Sequence, residues 1–143
     1  MPRYAAEAVA EAVMKKSPGG STFPYYYKGG EIHALKYGSL SDNAEKLIAL
    51  MDAEEAFIKG MPNRRLRVWV DFYESSISER ILDRFTEQIG SLGEQIVKLA
   101  IVGLSGRDRH RMKRALKKGE LSVPCGFYAD PEEAKTWLVD VSV

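Results

Sequence analysis

The chain has 143 residues, of which 45% are hydrophobic and 29% are charged, and this predicts one globular domain with a core of its own. Its formal net charge of +1 gives no overall field that would attract nucleic acid or a membrane surface. No apolar run approaches the ~20 residues that cross a bilayer, and the single cysteine excludes an internal disulfide, so we expect a cytoplasmic protein.

Residues 3–16 are rich in alanine and carry apolar side chains at helical spacing, which predicts a short N-terminal helix. Ser17–Gly20 then predicts a linker. We therefore expect a helix and linker over residues 1–20 and a single domain over residues 21–143. The helix either packs on its own domain or docks a partner or a second copy, which leaves a homodimer open.

A β-hairpin is predicted next. Phe23–Tyr27 and Glu31–Tyr37 have the composition of strands, and Lys28–Gly30 between them supplies the turn. His33 lies in the second strand. Because no second histidine or cysteine follows at the spacing of metal ligands, we expect neither a metal nor a cofactor.

The middle of the chain predicts helices and buried strands in alternation. Leu40–Lys59 has the apolar period of a helix, with Ser41 or Asp42 as its expected cap. Arg65–Ser105 has the pattern of a parallel βαβ unit, two apolar strands separated by an amphipathic helix. Ser76 and Glu79 have capping-box spacing at the start of that helix. The face expected to be buried consists of Ile77, Ile81, Phe85, Ile89 and Leu92.

The last third of the chain predicts a helix, a strand and a helix. Ser105 begins a helix that extends to about Lys118 and is strongly basic. We interpret its charges as a solvated face, with nucleic acid or an acidic partner as the alternative, although no nucleic-acid-binding signature accompanies them. Leu121–Tyr128 predicts a strand, which Pro124 places at a sheet edge or a bulge. Asp130 caps the final helix.

This order of elements predicts an α/β fold. We expect a mixed sheet of four or five strands with an N-terminal β-hairpin, about four flanking helices and the additional N-terminal helix.

Ligands of open α/β sheets bind beyond the carboxyl ends of the parallel strands. Two predicted loops lie there, and each leads into a helix N-terminus, where free amide groups favour anions. The residues expected to bind a partner or an anionic ligand at this crevice are Asp71, Tyr73, Ser75, Ser76, Ser78, Ser105, Arg107 and Arg109. The alternative is that these serines only cap helices and that Asp71 only ends a strand.

The sequence carries no enzyme signature, so we expect a protein without catalytic activity. Gly103–Arg107 approaches the nucleophile elbow G-x-S-x-G, but Arg107 stands where the last glycine belongs. Neither histidine has a marked acidic partner, and no phosphate-binding glycine motif is present. Cys125 follows a proline in a predicted strand, where a buried thiol is inert.

Three segments are familiar: LRVWVDF, a strand that ends in aspartate; KLAIVG, followed by a polar helix; and the closing FYADPEEAKTWL. From Phe23 to Val139 the chain resembles the STAS family (sulfate transporter and anti-sigma-factor antagonist), specifically its SpoIIAA-like branch of bacterial proteins. The resemblance implies a small regulatory module that binds proteins or small ligands. In the anti-sigma antagonists a serine after the strand that ends in aspartate is phosphorylated; Ser75, Ser76 and Ser78 occupy that neighbourhood here. The family's Asp-Ser pair is absent.

Three hypotheses about function follow. The first is a non-enzymatic, STAS-like interaction module that works through the strand-end crevice. The second is a carrier or sensor of a small molecule or lipid, with a pocket lined by the aromatic residues Tyr25, Tyr27, Trp69 and Phe72. The third is an enzyme that uses Asp71, His33 or Cys125.

Overall fold

The computed structural model describes residues 15–40 and 43–141. Its strands are Lys15–Lys16 (β1), Thr22–Phe23 (β2), Tyr25–Tyr27 (β3), Gly30–Lys36 (β4), Leu66–Asp71 (β5), Ile96–Val102 (β6) and Cys125–Tyr128 (β7). Its helices are Ala44–Lys59 (α1), Glu79–Leu92 (α2), Gly106–Lys118 (α3) and Pro131–Val139 (α4), with a 3-10 turn at Gly93–Gln95.

Strands β3 to β7 form one mixed sheet in the order β3-β4-β5-β6-β7. β3 is antiparallel to β4, and the other three pairs are parallel. A helix follows each of the four parallel strands along the chain. The predicted α/β class with an N-terminal β-hairpin and four flanking helices is confirmed. The helix predicted over residues 3–16 lies outside the described residues except at Lys15–Lys16, which form strand β1 instead.

The sheet has a thick side and a thin side. On one face, the apolar side chains of α1, α2 and α3 join those of alternate strand residues in a large core, which includes Val68, Val70 and Leu99. On the other face, α4 is the one helix of the described residues that covers a smaller cluster, which includes Trp69 and Leu138. All five residues of the predicted α2 face are buried.

The predicted hairpin is present between β3 and β4, with a two-residue turn at Lys28 and Gly29. Both residues have positive φ angles, 47° and 84°, the backbone conformation that lets the twist of a two-residue turn match the strands it joins. The first strand of the hairpin begins at Tyr25 rather than at Phe23, because Phe23 belongs to β2 and pairs with Lys15.

Two predicted helix caps are corrected by the structure. The side chain of Asn43 caps α1 by accepting from the backbone N–H of Lys46 at 3.0 Å; Ser41 and Asp42 lie outside the described residues. Ser78, not Ser76, caps α2, since its Oγ accepts from the N–H of Ile81 at 3.2 Å. Both helices begin later than predicted.

The predicted linker at Ser17–Gly20 is instead packed on the domain. β1 pairs with β2, and the turn between them contacts the buried carboxylate of Glu54 on α1. Glu54 Oε2 accepts from Ser17 Oγ at 3.0 Å and from the Gly19 N–H at 2.9 Å. A Cβ at Gly19 would lie 2.7 Å from that oxygen, so the close approach requires glycine.

The last strand begins at Cys125, four residues later than predicted, and lies at the edge of the sheet, one of the two positions Pro124 allows. Within residues 15–40 and 43–141, no helix is long and apolar enough to cross a membrane.

Candidate functional site at the strand ends

The loop that follows β5 is fixed by close backbone contacts. The backbone of Tyr73 passes between Gly38 and Gly103, which follow β4 and β6. A Cβ at Gly103, whose φ is 86°, would lie 2.5 Å from the Tyr73 nitrogen, so this packing requires glycine. The Tyr73 N–H donates to Asp71 Oδ1 at 2.8 Å, and the Tyr73 carbonyl accepts from the Ser39 N–H at 2.8 Å.

Beyond this loop, the N-termini of α2 and α3 border one open crevice of about 560 Å³. Ser78 caps α2, and Ser105 caps α3 by accepting from the Asp108 N–H at 3.2 Å. The residues that line the crevice are Ser76, Ile77, Ser78, Glu79, Ser105, Arg107, Asp108 and Arg111. Two helix N-termini with exposed hydroxyl groups therefore face the same space, an arrangement that favours an anion.

Arg111 ties the two sides of the crevice together. Its guanidinium donates to the Ile77 carbonyl, to Asp108 Oδ1 at 2.9 Å and to Glu79 Oε1 at 3.0 Å. The hydrogen bonds that Arg111 donates to Glu79 and then to Asp108 raise its pKa. Asp108 Oδ2 also accepts from the Ile77 N–H at 3.4 Å. This network fixes the loop before α2 against the first turn of α3.

Arg107 is the cation that remains for a ligand. Arg111 is engaged by the carboxylates of Glu79 and Asp108, whereas Arg107 is exposed and has no ion pair among the described residues. An incoming anion would thus meet one uncompensated guanidinium together with the serine hydroxyls.

The structure brings four of the eight predicted site residues into the crevice: Ser76, Ser78, Ser105 and Arg107. The other four, Asp71, Tyr73, Ser75 and Arg109, do not line it. The Asp71 carboxylate holds the Tyr73 backbone, and Ser75 Oγ donates to the Tyr37 carbonyl at 3.1 Å. Tyr73 is 61% exposed on the same loop as Ser76.

Sequence reasoning missed Asp108 and Arg111 as members of this site. One signal was available, because Ser105 and Asp108 have the S-x-x-D spacing of a helix start. Arg111 follows Asp108 by three residues, which places the two on the same helix face. The contact of Arg111 with Glu79 has no sequence signal, since 32 positions separate them.

The three residues of the enzyme hypothesis lie apart. His33 and Cys125 occupy the same row of the sheet with Val68 and Leu99 between them, so two strands separate them. His33 is fully buried, with its Nε2 3.3 Å from Glu54 Oε1. Burial raises the pKa of the Cys125 thiol to about 12, only partly opposed by the charge of Lys113. Asp71 pairs with Lys36, three positions along β4 from His33, so the structure does not bring these three side chains together.

The four aromatic residues of the carrier hypothesis divide between the two faces of the sheet. Tyr25 and Trp69 line an open pocket of about 240 Å³ on the thin side, together with Lys36 and Lys135. The indole Nε1 of Trp69 is buried and has no hydrogen-bond partner among the described residues. Phe72, by contrast, is fully buried in the large core.

Tyr27, the fourth of these residues, packs near α4, where its hydroxyl donates to Glu132 Oε1 at 3.3 Å. In the described part of the chain, no three histidine, cysteine, aspartate or glutamate side chains converge to hold a metal ion.

Comparison with protein-family models finds no matching family. Comparisons with curated proteins and with solved structures find no matching protein.

Proposed function

We propose that this protein is a non-catalytic, STAS-like regulatory module that binds a protein partner at the crevice between the N-termini of α2 and α3. One observation carries the proposal: the hydroxyl groups of Ser76, Ser78 and Ser105 line the crevice together with Arg107. Such a surface accepts an acidic or phosphorylated group of a partner. A mixed sheet of four or five strands with helices packed against it is what the STAS resemblance implies, and this chain has a five-stranded mixed sheet.

Phosphorylation of Ser76 would give this surface a switch. A phosphate carries about −2 charges, which would lie beside the positive end of the α2 dipole and near Arg107. The modified crevice would then repel an acidic partner. Ser78 is less suited to this role because its hydroxyl already caps α2.

Photo-crosslinking tests the proposal. Tyr73, on the loop beside the crevice, and Tyr26, on the far edge strand β3, are 61% and 64% exposed and form a matched pair. Each is replaced by a photoreactive phenylalanine in the full chain, which is irradiated in native cell extract. We expect the probe at Tyr73 to give a discrete protein adduct that the probe at Tyr26 does not give.

Variants of the crevice decide whether the adduct reports this site. Arg107→Glu and Ser76→Asp are each expected to reduce the adduct at least fivefold, whereas Arg109→Glu, on the same helix but outside the crevice, leaves it unchanged. Intact mass of the recovered protein shows whether a phosphate is present. An adduct of equal yield from both probes would contradict the proposal, and so would an adduct whose yield does not change with Arg107→Glu.

A second candidate function is small-ligand binding at the Trp69 pocket, favoured by the unpartnered indole N–H. Lys135 Nζ lies 4.9 Å from the Trp69 ring centroid, so a cation already faces the aromatic surface. Native mass spectrometry of the purified protein is expected to show a bound small molecule that Trp69→Phe reduces. An apo mass with no thermal shift across lipids and nucleotides counts against this function.

A further inference from the structure

The outer edge of β7 carries backbone groups without a strand to pair with. Among the described residues, β7 is hydrogen-bonded to β6 alone. The Leu99 N–H donates to the Pro124 carbonyl at 2.9 Å, and in a parallel ladder alternate residues face the same neighbour. Gly126 and Tyr128 therefore face β6, while Cys125 and Phe127 direct their N–H and C=O groups to the open edge.

An apolar pocket lies beside this open edge. It has a volume of about 240 Å³ and is lined by side chains of β6, β7, α2, α3 and the α3–β7 loop: Leu99, Cys125, Ile89, Leu116, Leu121 and Val123, with Lys117 at its margin. The side chains of Cys125 and Phe127 lie on this same face of the sheet. In an added strand, a residue opposite Cys125 would direct its side chain toward the pocket.

The charge beside the edge changes sign along β7. Lys113 Nζ lies 5.3 Å from the Phe127 ring centroid, and Lys117 borders the pocket. Neither lysine has an ion pair among the described residues. Glu94 and Glu120 lie at the other end, beside Pro124. An acidic side chain opposite Phe127 would therefore meet two free ammonium groups.

A second copy of this chain supplies no acidic side chain to this edge. In an antiparallel pair of β7 strands, the residues that face the shared edge, Cys125 and Phe127, lie opposite Cys125 or Phe127 of the other copy. The side chain opposite Phe127 would therefore be uncharged rather than acidic.

We propose that the open edge of β7 binds an extended segment of a protein partner that carries an apolar and an acidic side chain separated by one residue. The backbone of the segment pairs with Cys125 and Phe127. Its apolar side chain enters the pocket beside Cys125, and its acidic side chain meets Lys113 and Lys117. This surface is distinct from the crevice, which lies at the N-termini of α2 and α3.

Peptide selection on the full chain tests this inference. A random displayed peptide library is expected to yield sequences with an apolar and an acidic residue one position apart. The double variant Lys113→Glu with Lys117→Glu is expected to bind the selected peptide at least tenfold more weakly. Arg114→Glu with Lys118→Glu makes the same charge change on the side of α3 that faces α2, and it changes affinity less than twofold.

Amide hydrogen exchange locates the bound peptide. In the free protein we expect fast exchange at Cys125 and Phe127 and slow exchange at Gly126 and Tyr128. Peptide binding slows the first two amides at least tenfold. Slow exchange of all four amides in a free monomer would mean that another segment of the chain covers the edge of β7. Slow exchange in a protein that sediments as a dimer would mean that a second copy covers it. Either result overturns the proposal, as does a library that yields no apolar–acidic consensus.

Discussion

At the scale of single residues, the buried pair of His33 and Glu54 is the feature most costly to disturb. Both side chains are fully buried, and Glu54 also accepts hydrogen bonds from Ser17 and from the Gly19 backbone. The His33 ring contacts the rings of Phe57 and Phe23, at centroid distances of 5.8 Å and 5.3 Å, and these two rings also contact each other. One carboxylate thus joins β4, α1 and the turn between β1 and β2.

We expect replacement of Glu54 to destabilise the protein strongly. Glu54→Ala leaves His33 and the Ser17 hydroxyl without their acceptor in the interior and should lower the free energy of unfolding by about 3–5 kcal/mol. Ser17→Ala removes the hydroxyl that donates to Glu54 and accepts from the Ser21 N–H, and it should cost about 1–2 kcal/mol. Urea unfolding measures both. Equal losses of unfolding free energy for the two variants would show that Glu54 stabilises the protein only through its hydrogen bonds to the turn between β1 and β2.

Cys125 is expected to be unreactive in the folded protein. Burial raises the pKa of its thiol to about 12, so almost no thiolate is present near neutral pH. With a thiol reagent at about pH 8, modification of the native chain should be at least about 100-fold slower than modification in concentrated guanidinium chloride. Similar rates in the two conditions would contradict the burial of Cys125.

At the scale of elements, the helix starts show which local signals decide a boundary. Ser105 and Asp130 cap their helices as predicted, because each is the residue next to the first helical one. For α2, Ser76 and Ser78 both precede helical sequence, and the capping-box spacing favoured Ser76. In the structure Ile77 is instead held by Asp108 and Arg111 of α3, and the helix starts after Ser78.

The two serines provide a matched test of this cap. Ser78→Ala removes the acceptor of the Ile81 N–H and should destabilise the protein by about 1 kcal/mol. Ser76→Ala touches no cap and should change stability by less than about 0.5 kcal/mol. Thermal or urea unfolding distinguishes them. A larger loss of stability for Ser76→Ala than for Ser78→Ala would indicate that Ser76 caps α2, as the sequence predicts.

At the scale of the whole molecule, α4 is the one helix in the described part of the chain that packs on the thin side of the sheet. Lys98, on β6, is 5% exposed, and its Nζ donates to the carbonyls of Trp137 and Asp140 at 2.8 Å each. These carbonyls belong to the C-terminal end of α4, where a cation also meets the negative end of the helix dipole. A buried lysine thus joins the last helix to the sheet.

Removal of this cation should loosen α4 selectively. Lys98→Met removes the ammonium donor from both carbonyls, and we expect a loss of about 2–3 kcal/mol. Amide exchange in α4 should become faster while exchange in α2 stays unchanged. Lys46→Met, an exposed lysine on α1, serves as the control and should affect neither helix. Uniform acceleration throughout the domain would mean that α4 does not open independently of the rest.

The strand-end crevice was predicted only in part. The loops and the serines followed from the rule that ligands bind beyond the carboxyl ends of parallel strands. Asp71 and Ser75 were included because of their position along the chain. Their side chains instead form hydrogen bonds with the backbone, Asp71 with the Tyr73 N–H and Ser75 with the Tyr37 carbonyl. Arg111 could not be placed, because its partners Ile77 and Glu79 belong to another element.

The sequence alone determined the α/β class, the order of the elements from β3 to α4 and their buried faces. These depend on local periodicity, turn residues and the length of each apolar run. Only the tertiary structure decided that β1 pairs with β2 and that the turn between them packs on Glu54. It also decided that, within the described residues, Arg107 has no ion pair and the outer edge of β7 has no strand beside it. The physical reason is that hydrogen bonds and ion pairs over 30 or more positions require the folded chain to bring their partners together.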